Sequence, residues 1–485
     1  MFTVNRELLG ADGAPSPVLL ERLLQLQSEN HSERLDKLAD YVARHHAIES
    51  RRRMRGLPNN RLIHDLPGYI VALTSSYLVG APVKYTLPDE SAGQEAFDAL
   101  QDALRMADSG SVDAELAVDA STYGKGVELC YADEQARPRV AQIDARRSFV
   151  VYDDTVEHAP LFGVSTSDRK NELLQRIGEN VTVYTASEII HMQRDGQEAP
   201  AEVGREPHFF GGVPMIEYWN NARETGDFEG VMSLIDAYDA LESDRVNDKQ
   251  QFTDAIFVLK GVGALGADDT EEVVEPDDED GEPQTATTEQ KEKTDPSVRL
   301  RQTRTLFLPG DGADAQFVTK PDAESGNEVL KKAISGDIHK LSFVPDLTDE
   351  MFSGNSSGVA MRFKLFGLEQ LTNTKERWFR EGLRTRLRLL AHFLSVRGAQ
   401  ALDASEIQIA FTRSLPVNDL EIAQTVAAYD GHVSDMTLLQ HIPWVDDAEA
   451  ELQLLQSQRD EQLKRQQQTF EAQSFRDDTQ KDQEQ

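Results

Sequence analysis

The longest helical pattern in this chain runs from about residue 358 to residue 397, and it restricts the fold more than any other feature. Apolar residues recur along it at the spacing of one helix face, among them Phe363, Phe366, Leu383, Leu387 and Leu390. Forty residues of helix would span about 60 Å at about 1.5 Å per residue. One compact domain rarely needs that span, so the pattern favours an assembly in which this helix bridges layers.

The rest of the chain alternates between helical and β-prone segments. Spacings of three and four predict helices at residues 15–50, 64–79, 227–252, 322–341, 419–429, 436–440 and from 448. Short β-prone runs separated by turn residues predict strands at 126–131, 147–152, 161–165, 181–185, 188–192 and 407–411. Because no long amphipathic helix separates successive strands between 112 and 220, we expect a helix-rich α+β fold rather than repeated βαβ units. The Gln-, Asp- and Glu-rich last twenty or so residues are expected to fray.

The charge balance limits the classes of partner. Among 485 residues there are 85 acidic and 50 basic side chains, for a net charge of −35. Affinity for DNA comes largely from Lys and Arg that neutralise phosphates, so tight sequence-specific binding is not expected. A surface that repels DNA, or solubility through self-repulsion, agrees with this sign.

The single cysteine and the absence of long apolar runs indicate the cellular environment. Cys130 cannot form an intrachain disulfide and is expected to be a small buried hydrophobic residue, as in a reducing cytoplasm. The first residues lack the basic start and apolar core of a signal peptide. No window approaches 18 uninterrupted apolar residues, so no membrane span is predicted.

One apparent cofactor motif is present, and it fails on its context. Residues Gly261–Gly266 match the GxGxxG pattern after a predicted strand. The last glycine should open a helix whose N-terminus receives a pyrophosphate. Here it opens a run of Asp and Glu, which would repel phosphate. A nucleotide-dependent oxidoreductase therefore remains only a competing hypothesis, and no catalytic residue, cofactor or metal site is predicted.

An acidic insert separates two predicted strands. Residues 268–295 hold thirteen acidic and two basic side chains, and such a run is expected to be solvated and mobile. The flanking strands, 254–260 and 304–308, are predicted to pair as a small projecting hairpin-like subdomain.

The block LSFVPDLTDEMFSGNSSGVAMRFKLFGLEQLTNTKE, residues 341–376, resembles the portal proteins of tailed bacteriophages of the siphophage type. In that family a stem helix runs into a loop rich in Asp, Asn and Gly, and then into a long helix. Residues 216–221, 407–418 and 441–447 are similar to the family as well. The resemblance extends from about residue 60 to 460.

The resemblance implies a portal fold that assembles into a dodecameric ring with a central channel. Its parts would be a wing (1–226 and 358–418), two stem helices (227–253 and 319–343), a clip (254–318), a tunnel loop (344–357) and a crown (419–485). The ring would occupy one capsid vertex of the virion, after assembly in the host cytoplasm. It would be a channel for DNA packaging and ejection rather than an enzyme. The alternative is another structural virion component, such as a minor head protein.

The resemblance also implies the partners. They are further copies of the chain, the large terminase subunit, a head-to-tail adaptor, the major capsid and scaffold proteins, and double-stranded DNA held without sequence preference. No membrane partner is implied. Energy for packaging would come from a separate ATPase, because the chain has no phosphate-binding loop.

Candidate channel residues follow from charge and position. Carboxylates on the first stem helix could form a repelling wall, although a solvated outer face is an equal alternative (Asp236, Asp239 and Glu242). Lysines on the second stem helix could make weak phosphate contacts (Lys331, Lys332 and Lys340). In the tunnel loop, acids would keep phosphates at a distance and small residues would permit several conformations, unless the loop is an ordinary connector (Asp346, Asp349, Glu350, Ser353, Gly354, Asn355 and Ser356). Apolar residues of the clip strands are the candidate partner contacts (Phe257, Leu259, Leu306 and Leu308).

Overall fold

The computed structural model describes residues 1–54, 57–88, 93–196, 199–252, 256–260, 305–308, 314–318, 324–347, 363–413, 419–429, 431–440, 442, 445, 448 and 451–459. The chain divides into two compact units. The first comprises Met1–Leu347 and Leu365–Ser414, and the second comprises Thr348–Lys364 and Leu415–Gln485.

The helices of the first unit are α1 (Pro17–Gln27), α2 (Glu33–Val42), α3 (Leu66–Val79), α4 (Gln94–Met106), α5 (Ser109–Tyr123), α6 (Met232–Phe252), α7 (Glu324–Ser342) and α8 (Phe366–Val396). A π-helical turn, Ser28–Ser32, joins α1 to α2. The single helix predicted at 15–50 therefore ends at Val42, because Arg44 takes a left-handed conformation (φ 67°) that a helix cannot continue. At its start, Ser16 caps α1 by accepting a hydrogen bond from the Leu19 amide at 3.2 Å.

The strands of the first unit are β1 (Phe2–Val4), β2 (Lys84–Thr86), β3 (Lys125–Ala132), β4 (Pro138–Ile143), β5 (Ser148–Asp153), β6 (Pro160–Lys170), β7 (Arg176–Tyr184), β8 (Glu188–Arg194), β9 (Ala201–Pro207), β10 (Met215–Trp219), β11 (Ile256–Lys260), β12 (Thr305–Leu308), β13 (Asp314–Val318) and β14 (Gln408–Ala410). They form a six-stranded sheet in the order β1-β5-β6-β7-β8-β9, two three-stranded sheets in the orders β10-β3-β4 and β12-β11-β13, and the pair β14-β2.

The six-stranded sheet is an antiparallel meander with one parallel addition, β1 beside β5. Alternating apolar residues of its strands, among them Phe149, Phe162 and Val181, face one core. Leu20 and Leu23 of α1 cover that core, and all five side chains are buried. This alternation is what a sheet with one covered face requires. The strands predicted between 126 and 192 are confirmed, and β6 and β7 extend several residues beyond the predicted runs.

Helix α8 lies at the centre of the second core. Its 31 residues span about 46 Å. Phe379, Leu383 and Leu390 are buried against a cluster that includes Tyr218 of β10. The approach is close at Gly382, where a Cβ would meet the Tyr218 ring at 2.5 Å, so this helix position requires glycine. The predicted start of the helix, 358–362, lies outside the described residues.

Several elements differ from the sequence prediction. Helices α4 and α5 were not predicted, although Phe97, Leu100 and Leu104 of α4 have helical spacing and are buried. Strands β4, β9 and β10 were not predicted either. β11 and β12 do pair, but in parallel, so the predicted hairpin-like arrangement is wrong. The antiparallel partner of β11 is an additional strand, β13. A parallel pair needs a long connection, and residues 261–304 provide one.

The second unit contains α9 (Asp419–Tyr429), α10 (Asp435–Gln440) and a helical stretch at 451–459. These agree with the predicted helices. Ser434 caps α10 by accepting a hydrogen bond from the Thr437 amide at 3.3 Å. Within this unit, Arg459 Nη1 lies 3.7 Å from Asp435 Oδ2.

Candidate functional site

Helices α6 and α7, which precede and follow the sheet β12-β11-β13, contact each other through charged side chains. Glu242 accepts a hydrogen bond from Arg245 Nη1 at 2.7 Å and lies 3.6 Å from the Lys331 ammonium of α7. Arg245 also pairs with Glu328 of α7. The Lys331 ammonium lies 6.0 Å from the centre of the Tyr238 ring. Glu242 and Lys331, predicted separately as channel residues, therefore offset each other's charge.

The predicted wall residue Asp239 is completely enclosed, with no exposed surface. Its Oδ2 lies 2.6 Å from His46 Nδ1, and its Oδ1 lies 2.9 Å from both the backbone nitrogen and Nδ1 of His64. A carboxylate in this position cannot face DNA, so the prediction for Asp239 is wrong. The physical reason is long-range: the two histidines that enclose it lie 193 and 175 residues earlier in the chain.

The pKa shifts of Asp239 and His46 both favour the charged form. Burial disfavours the anion of Asp239, but hydrogen bonds from His46 and His64 outweigh burial and lower its pKa. Burial likewise opposes the cation of His46, but the hydrogen bond and charge of Asp239, together with the Tyr41 carbonyl and the Asp236 charge, outweigh burial and raise the pKa of the imidazole. Both shifts favour the charged forms, an imidazolium beside a carboxylate.

Asp236 is engaged inside the chain as well. The Tyr41 hydroxyl donates a hydrogen bond to Asp236 Oδ1 at 2.6 Å. The Tyr41 ring stacks on the His46 ring, with centroids 4.7 Å apart. Burial and the Asp236 carboxylate raise the pKa of Tyr41, so the phenol stays protonated and acts as the donor in this hydrogen bond.

The same face of α6 is covered over most of its length by residues 41–64, which we call the clasp. Positions 236, 239, 243 and 247 form one stripe at helical spacing. Beyond Asp239 the clasp contacts are Leu62 N to Ser243 Oγ at 2.9 Å, Arg51 Nη2 to Asp244 Oδ1 at 2.7 Å, and Asn60 N to Asn247 Oδ1 at 2.7 Å. Arg53 pairs with the same Asp244 carboxylate. Arg51 and Arg53 thus neutralise one acid of α6, Asp244.

Two predicted lysines of α7 remain open to solvent. Lys332 and Lys340 are exposed, and neither has an ion pair with another residue of the described ranges. They lie eight residues apart, about 12 Å along the helix. They are the predicted stem residues that the structure leaves available to an anion.

The first residues of the predicted tunnel loop are held by two side chains. The Tyr69 hydroxyl of α3 donates a hydrogen bond to the Pro345 carbonyl at 2.6 Å and accepts one from the Leu347 amide at 3.1 Å. His339 Nδ1 lies 2.9 Å from the Val344 carbonyl oxygen, and its Nε2 lies 3.9 Å from Asp346. The half-buried Asp346 therefore lies beside the His339 imidazole. The other loop candidates lie outside the described residues (Asp349, Glu350, Ser353, Gly354, Asn355 and Ser356).

The clip candidates are placed by backbone pairing alone. Phe257 is opposite Thr305 and Leu259 is opposite Phe307 in the parallel pair β11–β12. Leu306 and Leu308 pair with Val258 and Lys260 in the same register. The acidic insert and the motif Gly261–Gly266 lie outside the described residues.

Sequence reasoning missed a buried cluster centred on Arg386 of α8. Arg386 is fully buried, with Nη1 2.6 Å from Asp113 of α5 and Nη2 2.7 Å from Glu128 of β3. The Tyr218 hydroxyl donates a hydrogen bond to the same Glu128 at 2.7 Å. Burial raises the pKa of Asp113 to about 6 despite the arginine, and the neighbouring Glu128 charge adds to the rise.

A second buried pair joins α8 to the segment that leads into α6. Lys375 pairs with Asp227, and both side chains are almost completely buried. Asp227 also accepts hydrogen bonds from Ser121 Oγ at 2.6 Å and Asn220 Nδ2 at 2.8 Å. A sequence signal existed, because Lys375 and Arg386 fall in phase with the apolar stripe of α8. A charged residue on such a stripe indicates a buried partner.

The described residues contain neither a membrane-spanning helix nor a cluster of metal ligands. Among the helices of the described ranges, none is long and apolar enough to cross a bilayer. Across the same ranges, no three His, Cys, Asp or Glu side chains are grouped to hold a metal ion. Cys130 is buried, as predicted.

Comparisons with known proteins agree with the resemblance seen in the sequence. The family model described as "Phage portal protein, SPP1 Gp6-like" matches residues 24–465. The portal protein of Bacillus phage SPP1 is 24% identical over 467 residues, covering 90% of this chain and 85% of that protein. The portal protein of Clostridium phage phiCD119 is 24% identical over 408 residues, covering 81% and 83%. A chain from the neck of an empty GTA particle aligns with a TM-score of 0.43 and 14% identity over 83% of this chain and 91% of that chain.

Proposed function

This chain belongs to the SPP1 Gp6-like family of phage portal proteins, and on that premise we propose that copies of it form a dodecameric ring around an axial DNA channel. The ring would occupy one vertex of the capsid, where DNA enters during packaging and leaves during ejection. The observation that carries the proposal is the family match over residues 24–465. It also favours the portal over another structural virion component.

The order of the described elements supports the domain assignment. Helix α6, the sheet β12-β11-β13 and helix α7 follow one another as stem, clip and stem. The wing would comprise residues 1–226 with 358–418, and the crown residues 419–485. The tunnel loop would begin at residue 344, beside the contacts of Tyr69 and His339.

The charges of the stem support a channel that holds DNA weakly. Clasp side chains cover Asp236 and Asp239, and Glu242 is offset by Arg245 and Lys331. Among the predicted stem residues, the exposed charges offered to DNA would then be Lys332 and Lys340, repeated around the ring. Each phosphate contact adds affinity and salt dependence, so a few separated lysines would guide DNA without arresting it.

The clip is the proposed docking platform for the large terminase subunit and, later, the head-to-tail adaptor. Wing and crown are proposed to meet the capsid and scaffold proteins during assembly in the host cytoplasm. The role is structural, and the packaging ATPase would be a separate protein.

The ring is tested by negative-stain electron microscopy and mass photometry of the purified full chain. Closed rings with an axial opening are expected. A chain that stays monomeric alone and also beside its capsid and scaffold proteins would rule out the channel.

A further inference from the structure

The hairpin between β6 and β7 ends in three apolar side chains that face solvent. Leu173 is 76% exposed, Leu174 is 78% exposed and Ile177 is 49% exposed. We call these three residues the knob. Single exposed apolar residues are common on protein surfaces, but a group of three large ones at a hairpin tip indicates a contact surface.

Hydrogen bonds of Asn171 fix the turn that carries the knob. Asn171 Oδ1 accepts hydrogen bonds from the amides of Leu173 at 3.0 Å and Gln175 at 2.9 Å. The Asn171 amide donates to the Gln175 carbonyl at 2.9 Å. Leu174 takes a left-handed conformation, with φ of 58°. Asn or Gly would adopt this conformation with less strain, so the leucine here runs against the local backbone preference. Strain of this kind at an exposed side chain points to a function.

A groove lies at the other end of the same sheet. It has a volume of about 550 Å³ and is lined mainly by apolar and aromatic side chains, including Tyr131, Tyr184, Ile189, Phe209, Phe210 and Phe393. Tyr131 and Phe209 are 41% and 56% exposed. The groove therefore presents aromatic surface to solvent in a concave site, as apolar ligands and partner side chains require.

The knob and the groove are separated by the length of one strand. Leu173 and Leu174 are separated from the start of β7 by Gln175 alone, and Tyr184, the last residue of β7, lines the groove. Nine strand residues span about 30 Å. One copy cannot fill its own groove, but the knob of a second copy can. A contact between two different surfaces of identical chains is head-to-tail, and such contacts close into rings when the rotation permits.

The local charges allow this approach. At the knob end the strand acids are paired: Asp168 with Arg147 at 2.9 Å, Glu179 with Arg194 at 2.6 Å, and Asp195 with Arg169. The exposed Lys170 and Glu172 beside the turn offset each other. The rim of the groove includes the exposed acids Glu134 and Glu206. Two copies of a chain with a net charge of −35 repel each other over most of their surface, whereas a nearly neutral knob can approach this acidic rim.

We propose that the knob of each copy inserts into the groove of the next copy around the ring, as a wing-to-wing contact between subunits. The proposal rests on the ring of the proposed function and assigns one of its interfaces. It identifies Leu173 and Leu174 as the inserting side chains and Tyr131 and Phe209 as their principal receptors.

Disulfide cross-linking in the full chain tests the contact directly. Cys130 is the single native cysteine, so a Cys130→Ala background leaves only engineered thiols. In that background each chain would carry Leu173→Cys and Phe209→Cys, which are too far apart to form an intrachain disulfide. Mild oxidation should give a ladder of three or more covalently linked chains, because each copy has one donor and one acceptor position. A matched control replaces the knob cysteine by Val156→Cys, which is 99% exposed and outside the knob; it should give no ladder.

Microscopy of the same samples separates this contact from the ring itself. Rings without a ladder would overturn the knob contact and leave the proposed function standing. Neither rings nor a ladder, in the chain alone and also beside its capsid and scaffold proteins, would overturn both.

Assembly measurements with Leu174→Asn distinguish an interface role from a local structural role. Asn tolerates the left-handed conformation better than Leu, so the thermal stability of the subunit should be unchanged or higher. Loss of an inserted anchor should raise the concentration for half-maximal assembly roughly tenfold or more. Val156→Asn should leave that concentration unchanged. Unaltered assembly of Leu174→Asn together with Leu173→Asn would overturn the proposal.

Discussion

The imidazole Nδ1 of His46 lies 2.6 Å from Oδ2 of Asp239, and neither side chain is exposed. This pair joins the clasp to the middle of α6. His64 contacts the other oxygen of the same carboxylate, and Tyr41 stacks on the His46 ring. A helix proposed to line a channel is thus fixed to the clasp by groups whose charges depend on pH.

The first prediction concerns the pH dependence of stability. Because folding raises the pKa of His46, its contribution is fully present below the unfolded value of about 6.5 and is lost as pH rises through the folded value. The free energy of unfolding, from chemical denaturation, should therefore fall above about pH 6.5. His46→Gln should remove this fall and cost about 2 kcal/mol at pH 6. His45→Gln, at the exposed neighbour, should keep the wild-type profile; an identical profile in His46→Gln would contradict the prediction.

A second pH effect is expected from Asp113. Its pKa is raised to about 6 in the fold, so the native state binds more protons than the unfolded state between about pH 4 and 6. Stability contributed by this group therefore decreases as pH rises through that window. Asp113→Asn should abolish the decrease, because it removes the carboxyl group that binds the extra proton in the native state. Chemical denaturation between pH 4 and 7 measures the free energy of unfolding, and Asp102→Asn, at an exposed site, is the control. A decrease that persists in Asp113→Asn would show that Asp113 is not its source.

The third prediction concerns the exposed lysines of α7. In assembled rings, Lys332→Ala with Lys340→Ala should weaken binding of double-stranded DNA and flatten its salt dependence by about 0.9 in the log–log slope for each phosphate that the rings no longer neutralise. Fluorescence anisotropy at several salt concentrations provides the slope. Lys37→Ala removes an exposed charge from α2 and should leave the slope unchanged. Equal slopes in all three proteins would show that these lysines do not meet DNA.

The fourth prediction concerns the residues that lead into the tunnel loop. Tyr69→Phe keeps the ring that packs edge-on against His339 but removes the hydroxyl that holds Pro345 and Leu347. Loss of these hydrogen bonds should destabilise the closed form of the segment by about 1 kcal/mol and so accelerate amide exchange at Leu347 about fivefold. Hydrogen-exchange mass spectrometry of a peptide over this segment measures the change. Tyr41→Phe removes a hydroxyl elsewhere and should not alter exchange there; unchanged exchange in Tyr69→Phe would exclude the tether.

Sequence predicted the helices that carry the candidate channel residues, α6 and α7, more readily than it predicted which of their charges are exposed. Lys332 and Lys340 were predicted as exposed and are exposed, because the polar face of α7 is defined by its own periodicity. Asp239 belongs to an equally polar-looking stretch of α6 and is buried. Nothing near it in sequence indicates this, because His46 and His64 reach it from a distant segment.

The sequence by itself determined the local structure and the family. Helical spacing located α3, α6, α7 and most of α8, and the block at 341–376 identified the portal resemblance, since both depend on residues close together in the chain. Tertiary structure alone decided the parallel pairing of β11 with β12, the neutralisation of Asp244 of α6 by the clasp, and the burial of Arg386 against Asp113 and Glu128. These features join residues far apart in sequence. Whether a charge faces solvent or an opposite charge depends on which distant segments pack beside it, and local periodicity carries no information on that.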